Sequence, residues 1–368
     1  MNSQSARSLS SRQVTLIIVG FTIGAGILTL PSAAAELMGA SGWVWVLATG
    51  LLFTGAAWVA VKFAQQAPGE TLVEYSQKLL GKPLGILYSL FFAAYFFSFL
   101  PVETRVLQEL VNISLLPTAP TWFVSGSFIF VMAYGASRDI KQLAQVNELL
   151  IEIALLTGVF VVILAWQHFE PKNLMPFLAQ DQLHLGNLKV GIGTAFAYAG
   201  FQSINLILPY IKQPQEAAKA TLKALLTVVG VYTFFTISVI GVFGYKETMA
   251  IAWSGLELAK SVNLEAIILE RLDLILLIAW LSAIYTTGLL TYYMAALTLS
   301  KIWRLPSHAP IVWAMAPLIY YLSTLLKNYF TWNEWSFYIS LLTLAISFVF
   351  TPLLYLLSLL KKRGERSG

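Results

Sequence analysis

The stretch Gly20-Phe21-Thr22-Ile23-Gly24-Ala25-Gly26-Ile27-Leu28-Thr29-Leu30-Pro31 decides how the rest of the chain is read. It is apolar enough to lie in a membrane, yet two glycines one residue apart sit at its middle. Glycine lacks the Cβ that holds a residue to helical dihedral angles, so Gly24-Ala25-Gly26 lets a helix unwind there. A second stretch has the same character: Gly191-Ile192-Gly193-Thr194-Ala195-Phe196-Ala197-Tyr198-Ala199-Gly200-Phe201-Gln202. Each puts small residues mid-run, and each closes on Leu-x-Leu-Pro, at Leu28–Pro31 and Leu206–Pro209.

The composition around these stretches is that of a membrane protein. Of 368 residues, 58% are hydrophobic and 11% charged, whereas a soluble domain carries roughly 25% charged residues. Eleven Trp and sixteen Tyr suit the aromatic belts at headgroup depth. The absence of Cys excludes disulfides, thiolate metal sites and thiol catalysis. Residues 1–13 are polar, and the apolar run after them is too long for a signal h-region, so no cleavable signal is expected.

A spanning helix needs about 20 mostly apolar residues. On that basis ten spans are expected, near 14–31, 42–61, 85–100, 121–136, 143–166, 190–211, 224–244, 274–299, 308–326 and 335–360. The short third and fourth are expected to extend into their flanks. Alternating the connections puts sixteen of the 23 Lys and Arg on the side that holds both termini. The positive-inside rule makes that side cytoplasmic. The net charge of +5 is therefore a topological signal, and no nucleic-acid partner is expected. The organisation reads as a cytoplasmic segment (1–13), a first five-helix repeat (14–166), an extracytoplasmic loop (167–189), a second repeat (190–360) and a basic cytoplasmic tail (361–368) beside anionic lipid. Residues 253–262, with Leu256, Ala259 and Val262 at helical spacing, read as a short helix across the outer mouth.

Paired Gly-interrupted spans at corresponding places in two halves are the sequence mark of inverted-repeat transporters, which bind solute near the midplane. Unwinding frees N–H groups at the positive end of the next half-helix, where a carboxylate fits. The carbonyls freed on the opposite side suit an ammonium or a cation. Such backbone is tolerated at depth only where it lines a cavity or is buried in protein. The competing reading is close helix packing through small residues.

Ionisable residues at membrane depth are functional candidates. Glu152 lies eleven residues past Lys141, about 16 Å along a helix. Glu148 is one turn earlier on the same face, next to Asn147. These carboxyls are candidate proton carriers or structural hydrogen-bond partners. Ser282, Tyr285, Thr286 and Thr287 in the eighth span either help ligate a cation with the first break or bond their own helix carbonyls. Tyr88, Tyr95 and Phe96 either gate a cavity or pack. Glu103, Arg105, Arg271 and Asp273 read as outer span ends. His168, His184 and His308 are scattered without ligand spacing, and neither a phosphate loop nor a nucleophile motif is present. No metal, no cofactor and no enzymatic reaction are expected.

Gly24-Ala25-Gly26-Ile27-Leu28 with Pro31 resembles the first-span motif of the amino acid/polyamine/organocation transporter superfamily, and Ala195–Phe201 resembles its sixth-span break. Ser11-Arg12-Gln13, Pro68-Gly69-Glu70-Thr71-Leu72 and Leu269-Glu270-Arg271-Leu272-Asp273 narrow the likeness. Together they resemble the B subunits of spore germinant receptors over essentially the whole chain. The resemblance implies an all-α, LeuT-type five-plus-five fold with helices 1 and 6 broken, in the inner membrane of a bacterial endospore. It implies partnership with an A subunit and a lipoprotein C subunit, and binding of a nutrient such as L-alanine. By position, the solute carboxylate meets the backbone of Gly24, Ala25, Gly26 and Ile27. The ammonium meets carbonyls near Tyr198 and Ala199, before Gly200, with Tyr95 and Ser282 as wall residues. Gln202 stands where relatives often have Glu, so the point holds no negative charge. The fifth-span lysine of some proton-coupled members is absent, leaving Glu148 and Glu152 in that helix. The rival expectation is a free-standing proton- or sodium-coupled amino-acid transporter.

Overall fold

A computed structural model describes residues 9–179, 183–184, 186–262 and 272–367 of the chain. The chain is nearly all helical. α1 (Ser11–Thr22) starts with a capping box in which Ser10 accepts from the backbone of Gln13 and the Gln13 side chain reaches back to Ser10. This arrangement satisfies two of the N–H groups that a helix start leaves open. α2 (Gly26–Met38) follows after the break, then α3 (Gly42–Ala64). The amphipathic α4 (Leu72–Leu80) is capped by Thr71 and Glu74. Then come α5 (Lys82–Ser114), α6 (Thr121–Ala136) and α7 (Ile140–Ala165).

The second half opens with α8 (Leu188–Gly193), passes through tight 3₁₀ turns at Thr194–Tyr198 and Phe201–Ser203, and resumes as α9 (Ile204–Ile207). α10 (Ala217–Phe243), α11 (Tyr245–Ala250) and α12 (Ser254–Lys260) follow, then α13 (Leu272–Ile302), α14 (Ala309–Leu325), α15 (Tyr329–Leu344) and α16 (Thr351–Ser367). A π-turn at Ala345–Phe350 joins α15 to α16.

Among the described residues, six helical segments are long and apolar enough to cross a membrane, and α6 and α14 are shorter apolar helices. Each of the ten sequence spans falls on one of these rods or on a broken pair. The third span does extend, into the 33 residues of α5, running straight through Pro101. The fourth does not extend: α6 stops at Ala136, because residues 137–139 form the turn into α7. The short helix expected at 253–262 is α12, with Leu256 and Ala259 buried. Leu269, Glu270 and Arg271 of the Glu-Arg-Leu-Asp stretch lie outside the described residues.

The two broken rods occupy the middle of the bundle. α1 packs against α7, α10 and α13, while α13 runs along α5 and α7. α10 lies along α3 and also touches α2. Below the second break the chain is tied to the N-terminus: Leu9 N–H donates to Tyr210 O at 3.0 Å, and Lys212 N–H donates to Leu9 O at 3.0 Å.

Candidate functional site

The helix of α1 ends at Thr22. Ile23 leaves helical geometry, with φ −87° and ψ 81°, and α2 begins again at Gly26. At the second break Ala199 is extended (φ −68°, ψ 156°) and Gly200 has φ +122°, a conformation that glycine adopts and L side chains resist. The glycines also set how closely the breaks approach. A Cβ on Gly26 would stand 2.6 Å from Ala197 Cα, and one on Gly24 2.5 Å from Thr287 Oγ1. The two unwound segments therefore meet backbone to backbone at Gly26 and Ala197.

Side chains from other helices take up the freed carbonyls. Thr287 Oγ1 donates to Gly20 O at 2.8 Å, and Thr286 Oγ1 stands 3.4 Å from the same oxygen. The Tyr232 hydroxyl on α10 lies 2.7 Å from Thr22 O and 3.0 Å from Ala197 O, so one buried group serves a carbonyl of each break. At the second break Gly200 N–H donates to Gln202 Oε1 at 2.8 Å, and Gln202 Nε2 donates to Ser347 Oγ in the π-turn at 2.9 Å. Tyr198 donates to Val46 O at 2.6 Å and stacks on Phe53. Phe21 packs against Phe96 and Phe99, and Phe99 stacks on Phe196, which closes the space on one side of the breaks.

On the other side lies a cavity of about 490 Å³, the size of a small-ligand site. Gly26, Phe196 and Ala197 line its depth, Thr29, Thr194 and Ser336 its wall, and Glu36, Lys189 and Asn333 lie toward its mouth. Thr194 Oγ1 accepts from Trp45 Nε1 at 3.1 Å, and Glu36 accepts from Asn187 Nδ2 at 2.7 Å. The lining thus offers hydroxyls, one carboxylate and one ammonium around a backbone floor, a set suited to a small polar solute with both charges.

The structure gathers some of the sequence candidates and separates others. Gly24, Ala25, Gly26, Tyr198, Ala199, Gly200, Gln202, Thr286 and Thr287 all lie at or against the two breaks. Ile27 turns away from the cavity into an apolar pocket with Ile23 and Trp280. The Tyr95 hydroxyl accepts from Thr343 Oγ1 at 3.3 Å inside the aromatic cluster, and it is absent from the cavity wall. Ser282 donates to its own helix at Ile278 O, 2.9 Å away. Glu148 and Glu152 are not lone buried carboxyls: Arg12 pairs with both, and their side chains remain 25% and 38% exposed. α1 begins level with the third and fourth turns of α7, which brings Arg12 to both carboxylates.

Two buried residues carry no sequence signal strong enough to single them out. Tyr232 is one hydroxyl in an apolar helix. Glu103 reads as an outer span end, yet it is only 1% exposed, and its Oε2 is buried without a hydrogen-bond partner. Replacing Tyr232 with Phe is expected to destabilise the protein by roughly 1–3 kcal/mol, the cost of orphaning a buried polar group. A lowered thermal midpoint in detergent, larger than that of Tyr338→Phe at an exposed position, checks this.

The arrangement defines a multi-pass helical membrane protein of the LeuT-type fold, with a solute-sized cavity where two broken helices meet. Its overall structure superposes on Mhp1, a nucleobase-cation-symport-1 family transporter with bromovinylhydantoin bound, at TM-score 0.70 over 93% of this chain and 76% of that one, with 13% identity. It superposes on MhsT in complex with L-phenylalanine at TM-score 0.67 over 95% and 97%, with 14% identity. Residues 8–330 match the family described as Spore germination protein, and the chain belongs to that family. It is 28% identical over 359 residues to spore germination protein YndE of Bacillus subtilis (strain 168), covering 97% of this chain and 98% of that one.

Proposed function

We propose that this chain is the nutrient-binding subunit of a germinant receptor. It holds a small amino acid such as L-alanine, without altering it chemically, and passes a conformational change to an A subunit and a lipoprotein C subunit. It sits in the spore inner membrane with ten spans and both termini in the cytoplasm, so the cavity mouth faces outward. Its two five-helix repeats cover 14–166 and 190–360. The observation that carries this reading is the cavity of about 490 Å³ whose depth is formed by two chain breaks in backbone contact at Gly26 and Ala197. A ligand that moves either break there moves the end of α1 and the second break against α10, to which Tyr232 ties both.

A second reading, a free-standing amino-acid transporter, is favoured by the same fold likeness to solute transporters. A thermal-shift panel of amino acids, sugars and nucleosides on the purified chain tests the binding claim, with a small amino acid expected to give the largest stabilisation. Binding of a panel member stabilises the folded state by mass action. Proteoliposome uptake then separates the readings: accumulation driven by a proton or sodium gradient supports the transporter and counts against a pure receptor.

A further inference from the structure

A second cavity, of about 1080 Å³, lies at the end of the bundle where Tyr210 O accepts from Leu9 N–H. It opens between α4, α5, α7, α13 and α14. Its walls carry five cations, Lys78, Lys82, Lys141, Lys301 and Arg304, against two carboxylates, Glu74 and Asp139. Lys78 pairs with Glu70, and Lys301 pairs with Glu74 at 3.0 Å. Lys82, Lys141 and Arg304 form no ion pair among the described residues. α5, α7 and α14 all begin at this cavity, at Lys82, Ile140 and Ala309. No N-cap side chain bonds the first turn of any of the three, although Ser307 Oγ accepts from Ala309 N–H at 3.2 Å. The positive ends of three helices therefore add to the unpaired cations. Topological loop charge alone requires no such convergence.

Two residues mark the cavity as a built site. Tyr293 is 3% exposed and lines the cavity, and its hydroxyl has no hydrogen-bond partner among the described residues. Leaving a buried hydroxyl without a partner is costly unless a ligand or water supplies one. Arg304 follows α13 with φ +55°, and Leu305 N–H donates to Ser300 O at 2.9 Å. This is the left-handed helix stop that glycine usually fills, yet the chain places a guanidinium there. A guanidinium can bond two phosphate oxygens at once. Trp303 and Leu305, on either side of Arg304, are exposed, an apolar rim of the kind found at headgroup depth.

We propose that this cavity binds the headgroup of an anionic phospholipid with two phosphates, such as cardiolipin. The proposed topology puts it at the cytoplasmic leaflet, where basic pockets between membrane helices hold such headgroups. Lys82 and Lys141 belong to helices of the first half and Arg304 to the second, so one lipid joins the two halves at the end opposite the nutrient cavity. Free phosphate has the same charge chemistry, but it fills little of about 1080 Å³ and makes no use of Trp303 and Leu305. The lipid site needs no nutrient, so its failure and that of the amino-acid reading are separate results.

The test is thermal unfolding of the full chain in a neutral detergent with cardiolipin, phosphatidylglycerol, phosphatidylcholine, inorganic phosphate or a hexaglutamate peptide added. Cardiolipin is expected to raise the wild-type midpoint most and phosphatidylglycerol less, with no shift from phosphatidylcholine or inorganic phosphate. In Lys82→Gln/Lys141→Gln/Arg304→Gly, the cardiolipin concentration that gives half of the shift is expected to rise at least about tenfold. The lipid-free midpoint should not fall, because glycine accepts the backbone angle at position 304. Should it fall, Lys82→Gln/Lys141→Gln, at two exposed positions, carries the comparison. Lys219→Gln/Lys223→Gln removes two exposed cations of α10 outside the cavity and should leave the cardiolipin response close to that of wild type. An equal loss in this control overturns the proposal, as does an unchanged response in the cavity variants. Stabilisation by inorganic phosphate matching that by cardiolipin overturns it in favour of a soluble anion. Stabilisation by the peptide without any by the lipids overturns it in favour of an acidic protein segment.

Discussion

Gly200→Ala is expected to lower the stability of the solubilised protein by roughly 2–6 kcal/mol, combining positive-φ backbone strain of about 1–3 kcal/mol with overpacking of similar size. Gly200 has φ +122°, outside the range an alanine accepts without strain. Its Cβ would also stand 2.6 Å from Phe21 Cδ1 and 3.0 Å from Phe21 Cβ and Cγ. Phe21 has nowhere to retreat, because its ring is clamped by Phe96 at 5.4 Å and Phe99 at 6.3 Å between centroids. The strain therefore propagates from the second break into the first. Gly230→Ala is the matching control. It lies in the interior of α10, nothing stands within 4 Å of an added Cβ, and the change should stabilise the protein by about 0.5–1 kcal/mol. Thermal unfolding in one detergent measures both. Equal midpoints for the two variants would remove the argument that Gly200 is held by its backbone conformation.

The fold was readable in the sequence where it depends on local chemistry. Hydrophobic run length placed every rod, and Gly24, Gly26 and Gly200 marked the breaks, because both signals act within a few residues. Misreadings arose where a local cue competed with tertiary context. Glu103 reads as an outer span end, just past Pro101, where a proline removes a helix hydrogen bond, yet membrane helices tolerate proline when neighbours cover the freed group. α5 continues for thirteen residues past it, and this carries Glu103 from a span end into the core. Counting along α7 likewise does not reveal the offset between helices that lets Arg12 reach Glu148 and Glu152. Tyr232 is the limiting case. Its role exists only because α10 crosses both breaks, and no spacing along one helix encodes a contact with carbonyls 210 and 35 residues away.

The stretches Ser11–Gln13 and Pro68–Leu72, read from the sequence as resembling germination-protein motifs, have separate physical roles in the structure. Ser11 bonds Glu216 across 205 residues, Arg12 pairs with α7 and Gln13 completes the α1 cap, so the three fix where the first half-helix starts. Glu70 pairs with Lys78, and Thr71 caps α4 with Glu74, which also holds Lys301 of α13. Neither stretch touches the cavity. They fix α1 and α13, which meet beside the first break where Thr287 bonds Gly20 O, while the cavity floor is bare backbone at Gly26 and Ala197.

Gly26→Ala is expected to cost at least tenfold in affinity for the stabilising amino acid, which is about 1.4 kcal/mol, and to blunt nutrient-triggered germination of spores carrying it as the sole copy. The added Cβ would meet Ala197 Cα at 2.6 Å, Ala197 Cβ at 3.0 Å and Ala197 N at 3.3 Å. Ordinary carbon contacts lie near 3.5–4.0 Å, so the two half-helices must separate by about 1 Å at the floor of the cavity. The contacting atoms are two backbone atoms and a methyl fixed to the backbone, so no rotamer change relieves them. Gly24→Ala supplies the contrast. Its Cβ would meet Thr287 Oγ1 at 2.5 Å, and Thr287 can rotate, at the expense of its 2.8 Å bond to Gly20 O. Its effect should be smaller, and it should be partly relieved by Thr287→Ala in the same chain, which removes the clashing atom. No equivalent second substitution exists for Gly26→Ala, because position 197 already carries only a methyl group and the clash is with its main chain. A double-mutant cycle on positions 24 and 287 should show favourable coupling, as expected of residues in contact. If Gly26→Ala retained full ligand affinity and a normal germination response, the floor formed by Gly26 and Ala197 would not be where the nutrient is read.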